Sequence, residues 1–167
     1  MTPHAVDANA IHQFQEERIK SAPGDAHACV EAITANDCIA LDEGGLCLQE
    51  WVDCAGGQFP FALTDWVADQ AILGRIRFFP LSPNTIRKHL LSLGLPTADH
   101  KWIRLAIGSE GRVVVSNDVD FFDPTKKHAP AGVKDAVKAK GSGPCSKGLA
   151  KTYGITVRCV HEFATNL

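Results

Sequence analysis

The sequence predicts an α/β protein: a mostly parallel sheet of four to five strands with helices on both faces. Three observations lead there. Short apolar runs recur along the chain, segments with helical periodicity lie between them, and three of the runs stop abruptly at acidic or polar residues.

His4 to Val6 reads as the first strand and ends at Asp7. Ala8 to Lys20 follows as a helix, with Ile11, Phe14 and Ile19 in register, and the Ser-Ala-Pro-Gly after it is a stop. Ala26 to Thr34 is a second helix. Cys38 to Leu41 is the next strand and ends at Asp42. Leu46 to Cys54 is helical, with Gly56-Gly57 as its terminator, and Thr64 is the N-cap candidate of a helix reaching Ile72. Arg75 to Phe79 is a weaker strand that Pro80 confines to an edge. Asn84 to Leu93 is a helix closed by Gly94, and Thr97 to Ile107 is another, entered through Pro96. Arg112 to Val115 is a strand buried on both faces, running into Ser116-Asn117-Asp118. His128 to Pro144 has the composition of a linker. Cys145 to Tyr153 is a helix closing on Gly154, and Ile155 to Val160 is the last strand.

The chain of 167 residues suits a single domain over 1–167, which buries roughly 70% of its unfolded surface. A net charge of −2 excludes a uniformly basic coat, while leaving room for a local basic patch. No apolar run reaches the roughly 18 residues of a membrane span, and the N-terminus lacks the pattern of a signal peptide. A cytoplasmic protein with reduced cysteines is therefore expected, with no membrane partner. The absence of a CxxC pair argues against structural zinc.

In open parallel sheets, ligands bind beyond the carboxyl ends of the strands, where strand order reverses. Asp7 and Asp118 each follow a strand and would face one another if those strands are neighbours. Glu50 and Asp99 join from helices, with Asp120 close behind Asp118. Carboxylates crowded in a partly dry site need a counter-charge, and Mg²⁺ or Mn²⁺ is the hard cation that oxygen ligands suit. The chemistry expected of such a site is phosphodiester hydrolysis.

Four stretches carry a resemblance: VDANAIHQF at 6–14, LQEW at 48–51, TADHKWIRLA at 97–106 and VVVSNDVDFF at 113–122. In that order and spacing the chain resembles the PIN-domain nucleases. The resemblance implies a three-layer α/β/α sandwich that cuts RNA with Mg²⁺ or Mn²⁺. It implies metal ligation by Asp7, Glu50, Asp99 and Asp118, with Asp120 a further ligand. Asn9 and Ser116 would orient ligands or phosphate. The stretch LDEGGLCLQE leaves an alternative, in which Asp42 or Glu43 rather than Glu50 is the helix-side contact. The resemblance also implies the toxin of a toxin–antitoxin pair, with an antitoxin protein or a homodimer as partner. A stand-alone nuclease, a DNA nuclease and a catalytically silent binding module are the other readings.

Each acid has a plainer role open to it. Asp7 would cap the first helix, Asp42 a turn or helix, and Asp99 would complement a helix dipole, while Glu50 would face solvent. Asp123-Pro124 reads as a turn. The lysines of 126–151, Lys126, Lys127, Lys134, Lys138, Lys140 and Lys147 among them, are either a solvated face or a track for a nucleic-acid backbone. Trp51, Trp66 and Trp102 are either base platforms or core.

Overall fold

A computed structural model of the chain describes residues 1–55 and 60–165, the side chains of 60–62 and 164–165 excepted. Gly56-Gly57, the expected helix stop, lies outside the described residues. The fold is a three-layer α/β/α sandwich around one parallel sheet. Its strands are β1 (Pro3–Val6), β2 (Cys38–Asp42), β3 (Ile76–Phe79), β4 (Val113–Val115) and β5 (Thr156–Arg158), in the order β3-β2-β1-β4-β5. The chain runs outward from β1 to β3, then returns to the other side of β1 for β4. The strand order therefore reverses between β1 and β4, where Val6 pairs with Val115. All pairings are parallel.

The central strands are apolar on both faces because helices cover both. Ala5, Val6, Ile39, Ala40, Leu41, Val114 and Val115 are fully buried. The helices are α1 (Ala8–Ile19), α2 (Asp25–Asn36), α3 (Leu46–Ala55), α4 (Pro60–Ile72), α5 (Arg87–Ser92), α6 (His100–Gly108), α7 (Ala131–Lys140), α8 (Pro144–Tyr153) and α9 (Val160–Thr165). Helix α6 packs across β1, β2 and β4, and α2 packs on α1 and α9. The approach of β4 to β1 requires Gly111, because a Cβ there would overlap the Pro3 carbonyl oxygen.

Several elements differ from expectation. The linker-like 128–144 stretch contains α7, whose Ala and Lys residues are strong helix formers and whose end Gly141 closes in the left-handed conformation (φ 73°). β4 starts at Val113, not Arg112, because Arg112 has φ 58°. The last strand is shorter than Ile155–Val160, since Val160 opens α9, where the Arg158 guanidinium lies 3.8 Å from the Phe163 ring centroid. Helix α4 starts at Pro60, so Thr64 lies inside it and is not its N-cap. Single-turn 3₁₀ segments precede α5 (Asn84–Ile86) and α6 (Thr97–Asp99). Among the described residues no helix is long and apolar enough to cross a membrane.

Candidate metal centre

The site sits at the carboxyl ends of β1 and β4. Asp7 follows β1 directly, is 4% exposed, and its N–H donates to Val115 O at 2.8 Å, which ties the two strand ends together. Ser116, fully buried, follows β4. Its hydroxyl donates to Asp7 Oδ2 at 2.7 Å and accepts from Asp118 N at 2.9 Å. One hydroxyl thus couples the two strands' acids. Beyond it Asp118 caps a 3₁₀ turn (Val119–Phe121), accepting from Asp120 N at 2.9 Å. That turn buries Asp120, while Phe121 and Phe122 anchor it in the core.

Asp99 arrives from the 3₁₀ turn ahead of α6 and makes no side-chain cap bond to that helix. Carboxylate oxygens of Asp99, Asp118 and Asp120 lie within 4.8 Å of one another, a group of three that could hold a metal ion. Asp120 Oδ1 is buried with no hydrogen-bond partner. A buried acceptor without a donor is costly unless something positive meets it. The nearest cation, Lys127, stands 4.0 Å from the other oxygen, Oδ2. A hard cation fits this donor set of oxygens.

The electrostatics match that geometry. Burial, aided by the charges of Asp7, Asp118, Asp120 and Glu50, pushes Asp99 up to about 7. Burial also raises Asp7 to about 6, with Asp118 and Glu50 adding to the shift and the Ser116 hydrogen bond opposing it. Asp120 is raised by burial and by Asp118, against the pull of Lys127.

Of the five acids expected, Asp99, Asp118 and Asp120 form the close group, and Asp7 and Glu50 stand beside it. Glu50 is only partly exposed and is held in place: Trp102 Nε1 donates to its Oε2 at 2.9 Å, and Lys101 Nζ lies 2.9 Å from its Oε1. Its charge acts on both Asp7 and Asp99. The alternatives to Glu50 fall elsewhere. Asp42 is 1% exposed and accepts from Leu46 N at 3.0 Å and Cys47 N at 2.7 Å, holding the start of α3. Glu43 is exposed, and its N–H joins the edge strand at Phe79 O. Asp123 is a turn residue, accepting from Thr125 N and Oγ1.

A cleft of about 550 Å³ opens over the group, and Asn9, Pro96, Lys127, Lys134 and Lys138 line it together with the three aspartates. Lys126, Lys140 and Lys147 are exposed and lie outside its lining. Trp51 and Trp102 are fully buried, Trp51 donating to Val6 O, so neither is a base platform. Trp66 packs on Phe14 at 4.9 Å. Sequence reasoning missed Lys101, Asn117 and His128. The first follows Asp99 by half a helical turn, Asn117 directly precedes Asp118, and His128 directly follows Lys127, so proximity was the available signal. All six cysteines are free and five are buried.

Comparison with known protein families, with curated proteins and with solved structures returns no match to this chain.

Proposed function

We propose that the chain is a metal-dependent phosphodiesterase, an endoribonuclease of PIN-like design using Mg²⁺ or Mn²⁺. One observation carries the reading: three aspartate oxygens converge within 4.8 Å, one aspartate keeps a buried, unpartnered oxygen, and all lie at the strand-order reversal of a parallel sheet. Asp99, Asp118 and Asp120 would hold the ion, with Asp7 and Glu50 adding negative charge beside it.

When bound, a divalent cation offsets the carboxylates, polarises the phosphoryl group and makes water acidic enough to act as nucleophile near neutral pH. The chain's own residues do the remaining work. Ser116 fixes Asp7 and Asp118 relative to each other. Trp102 and Lys101 hold the Glu50 carboxylate, so its charge stays directed at the site. Lys127, Lys134 and Lys138 line the same cleft, where ammonium groups attract a phosphate backbone and stabilise the charge that develops on it.

The test is cleavage of a labelled single-stranded RNA. Wild type with Mn²⁺ should cut it, and excess EDTA or Asp118→Asn should stop cleavage while the far-UV spectrum stays unchanged. Persistent cleavage by that variant would sink the mechanism. A catalytically silent module would show no Mn²⁺-dependent rise in melting temperature, whereas a filled site at a hundred times its Kd gains about 2.7 kcal/mol. A toxin role additionally requires an antitoxin, and a short charged reading frame beside this one is the sign to look for.

A further inference from the structure

The sheet has two edge strands, β3 and β5, and they differ. β5 is three residues long, and its Arg158 is answered by Glu162 at 3.3 Å and by the Phe163 ring. On β3 the ladder to β2 uses the odd-numbered residues: Arg75 O accepts from Ile39 N at 2.8 Å, and Phe79 O accepts from Glu43 N at 2.9 Å. Successive peptide groups of a strand point to opposite sides, so Ile76 and Phe78 turn their N–H and C=O groups away from β2. Neither residue has a backbone partner on that side among the described residues.

The open edge is both apolar and basic. Ile72 and Leu73, where α4 ends, are 84% and 60% exposed, and Phe78 is 46% exposed. Scattered exposed apolar residues are ordinary, but three within one short stretch beside an open strand edge are what a partner would cover. Arg75 and Arg77 are exposed, neither forms an ion pair among the described residues, and the stretch 72–80 contains no acid. Side chains alternate between the faces of a strand, so Phe78 shares a face with Ile76. Arg77 takes the other face with Phe79, its guanidinium 5.8 Å from that ring's centroid. A second copy of the chain fits this edge poorly. Antiparallel pairing of Ile76 and Phe78 with Phe78 and Ile76 of another copy sets the two Arg77 side chains directly opposite, where like charges destabilise.

We propose that β3 is the docking edge for a protein partner, which adds an extended segment of alternating acidic and apolar residues as a further strand of the sheet. The segment's backbone bonds the outward N–H and C=O groups of Ile76 and Phe78, its acids meet Arg77 and the neighbouring Arg75, and its apolar side chains cover Phe78. Backbone bonding supplies the register and the two arginines select the partner by charge. β3 lies two strands from β1, and none of its residues lines the carboxylate cleft, so this inference does not depend on the nuclease reading.

The probe is a fluorescent peptide of about six residues, an ordinary strand length, alternating glutamate with valine. Its affinity for the full chain is read by anisotropy in EDTA, beside a lysine–valine counterpart and a copy N-methylated along one edge of its backbone. The glutamate peptide should bind at least about tenfold more tightly than the lysine one, the work of two cross-strand charge pairs. Arg77→Glu should reverse that preference, N-methylation should abolish binding, and amide exchange at Ile76 and Phe78 should slow in the complex. Lys138→Gln and Asp118→Asn, which leave the edge intact, should bind as wild type does. No binding, equal affinity for the two peptides, or a loss with Lys138→Gln that Arg77→Glu does not produce overturns the docking edge. A concentration-dependent dimer in sedimentation that Phe78→Asp dissolves also overturns it, because the occupant is then a second copy.

Discussion

Strands β1 and β2 lie side by side, run in the same direction and end in buried aspartates, Asp7 and Asp42, 4% and 1% exposed. After β2 the chain makes a short loop through Gly44 and Gly45, the latter at φ 82°, and α3 then turns two backbone N–H groups onto Asp42. Burial works against that carboxylate's charge, but those bonds outweigh it and hold Asp42 below the usual range. After β1 the helix begins at once, and Asp7 makes no side-chain cap bond to it. Asp7 receives the Ser116 hydroxyl, and burial together with Asp118 and Glu50 still pushes it up to about 6. Two aspartates closed to solvent thus have opposite outcomes. Backbone donors make Asp42 a structural cap, whereas deep burial, with like charges adding to it, works against the charge of Asp7.

The largest effect expected from this contrast is on cleavage. Asp120→Asn or Asp99→Asn should lose at least about a hundredfold, the upper range seen for residues that merely support metal ligands. Asp42→Asn, by contrast, should stay within a few-fold. Comparable losses at Asp42 would erase the distinction between cap and site.

Stability supplies the next test, and its sign is the point. Raising Asp7 from the ordinary carboxylate range to about 6 costs about 3 kcal/mol once it ionises. Metal-free Asp7→Asn should therefore be more stable than wild type at neutral pH by up to that amount, whereas Asp42→Ala should lose about 1–2 kcal/mol with its cap. Thermal melts in EDTA would read both, and shifts in the same direction would break the comparison.

The pH dependence follows from the same groups. Between the unfolded carboxylate value near 4 and the folded values of about 6 and about 7, the native state binds protons that the unfolded chain does not. Metal-free stability should therefore fall as pH rises through that window. With Mn²⁺ the trend reverses, because the cation needs the ionised forms. Melting temperatures on both sides of the window, with and without Mn²⁺, check it; a metal-free protein that gains stability with rising pH would contradict the raised values.

The smallest effect belongs to Lys127. It is 56% exposed and 4.0 Å from Asp120, so Lys127→Gln should change stability by less than about 1 kcal/mol. Cleavage should slow several-fold, with Lys127→Arg restoring it. A large stability loss would mean that the lysine, rather than a cation, is the intended partner of Asp120.

Much of this was legible beforehand. The β-branched run Val113–Val115 and the short strands at Ala5 and Ile39 announced a doubly covered parallel sheet, and the acids at strand ends pointed to a gathering of carboxylates at its carboxyl edge. Less legible were α7, where Gly and Lys masked a run of good helix formers, and α9, where Val160 continued an apolar pattern into a helix. Which of Asp42, Glu43 and Glu50 stands beside the other acids was also beyond the pattern. Trp102, 52 residues from Glu50 in sequence, holds the Glu50 carboxylate, whose charge acts on Asp7 and Asp99.

What the sequence determined by itself was local: which segments repeat with the period of a strand or a helix, and that acids stand where strands stop. Tertiary structure decided what each acid is. Ser116 reaches Asp7 across 109 residues, and Asp99 meets Asp118 and Asp120 only because α6 packs over β1 and β4. A carboxylate's charge depends on donors, like charges and water within a few ångströms. Those neighbours come from distant parts of the chain, and only the packed fold brings them together.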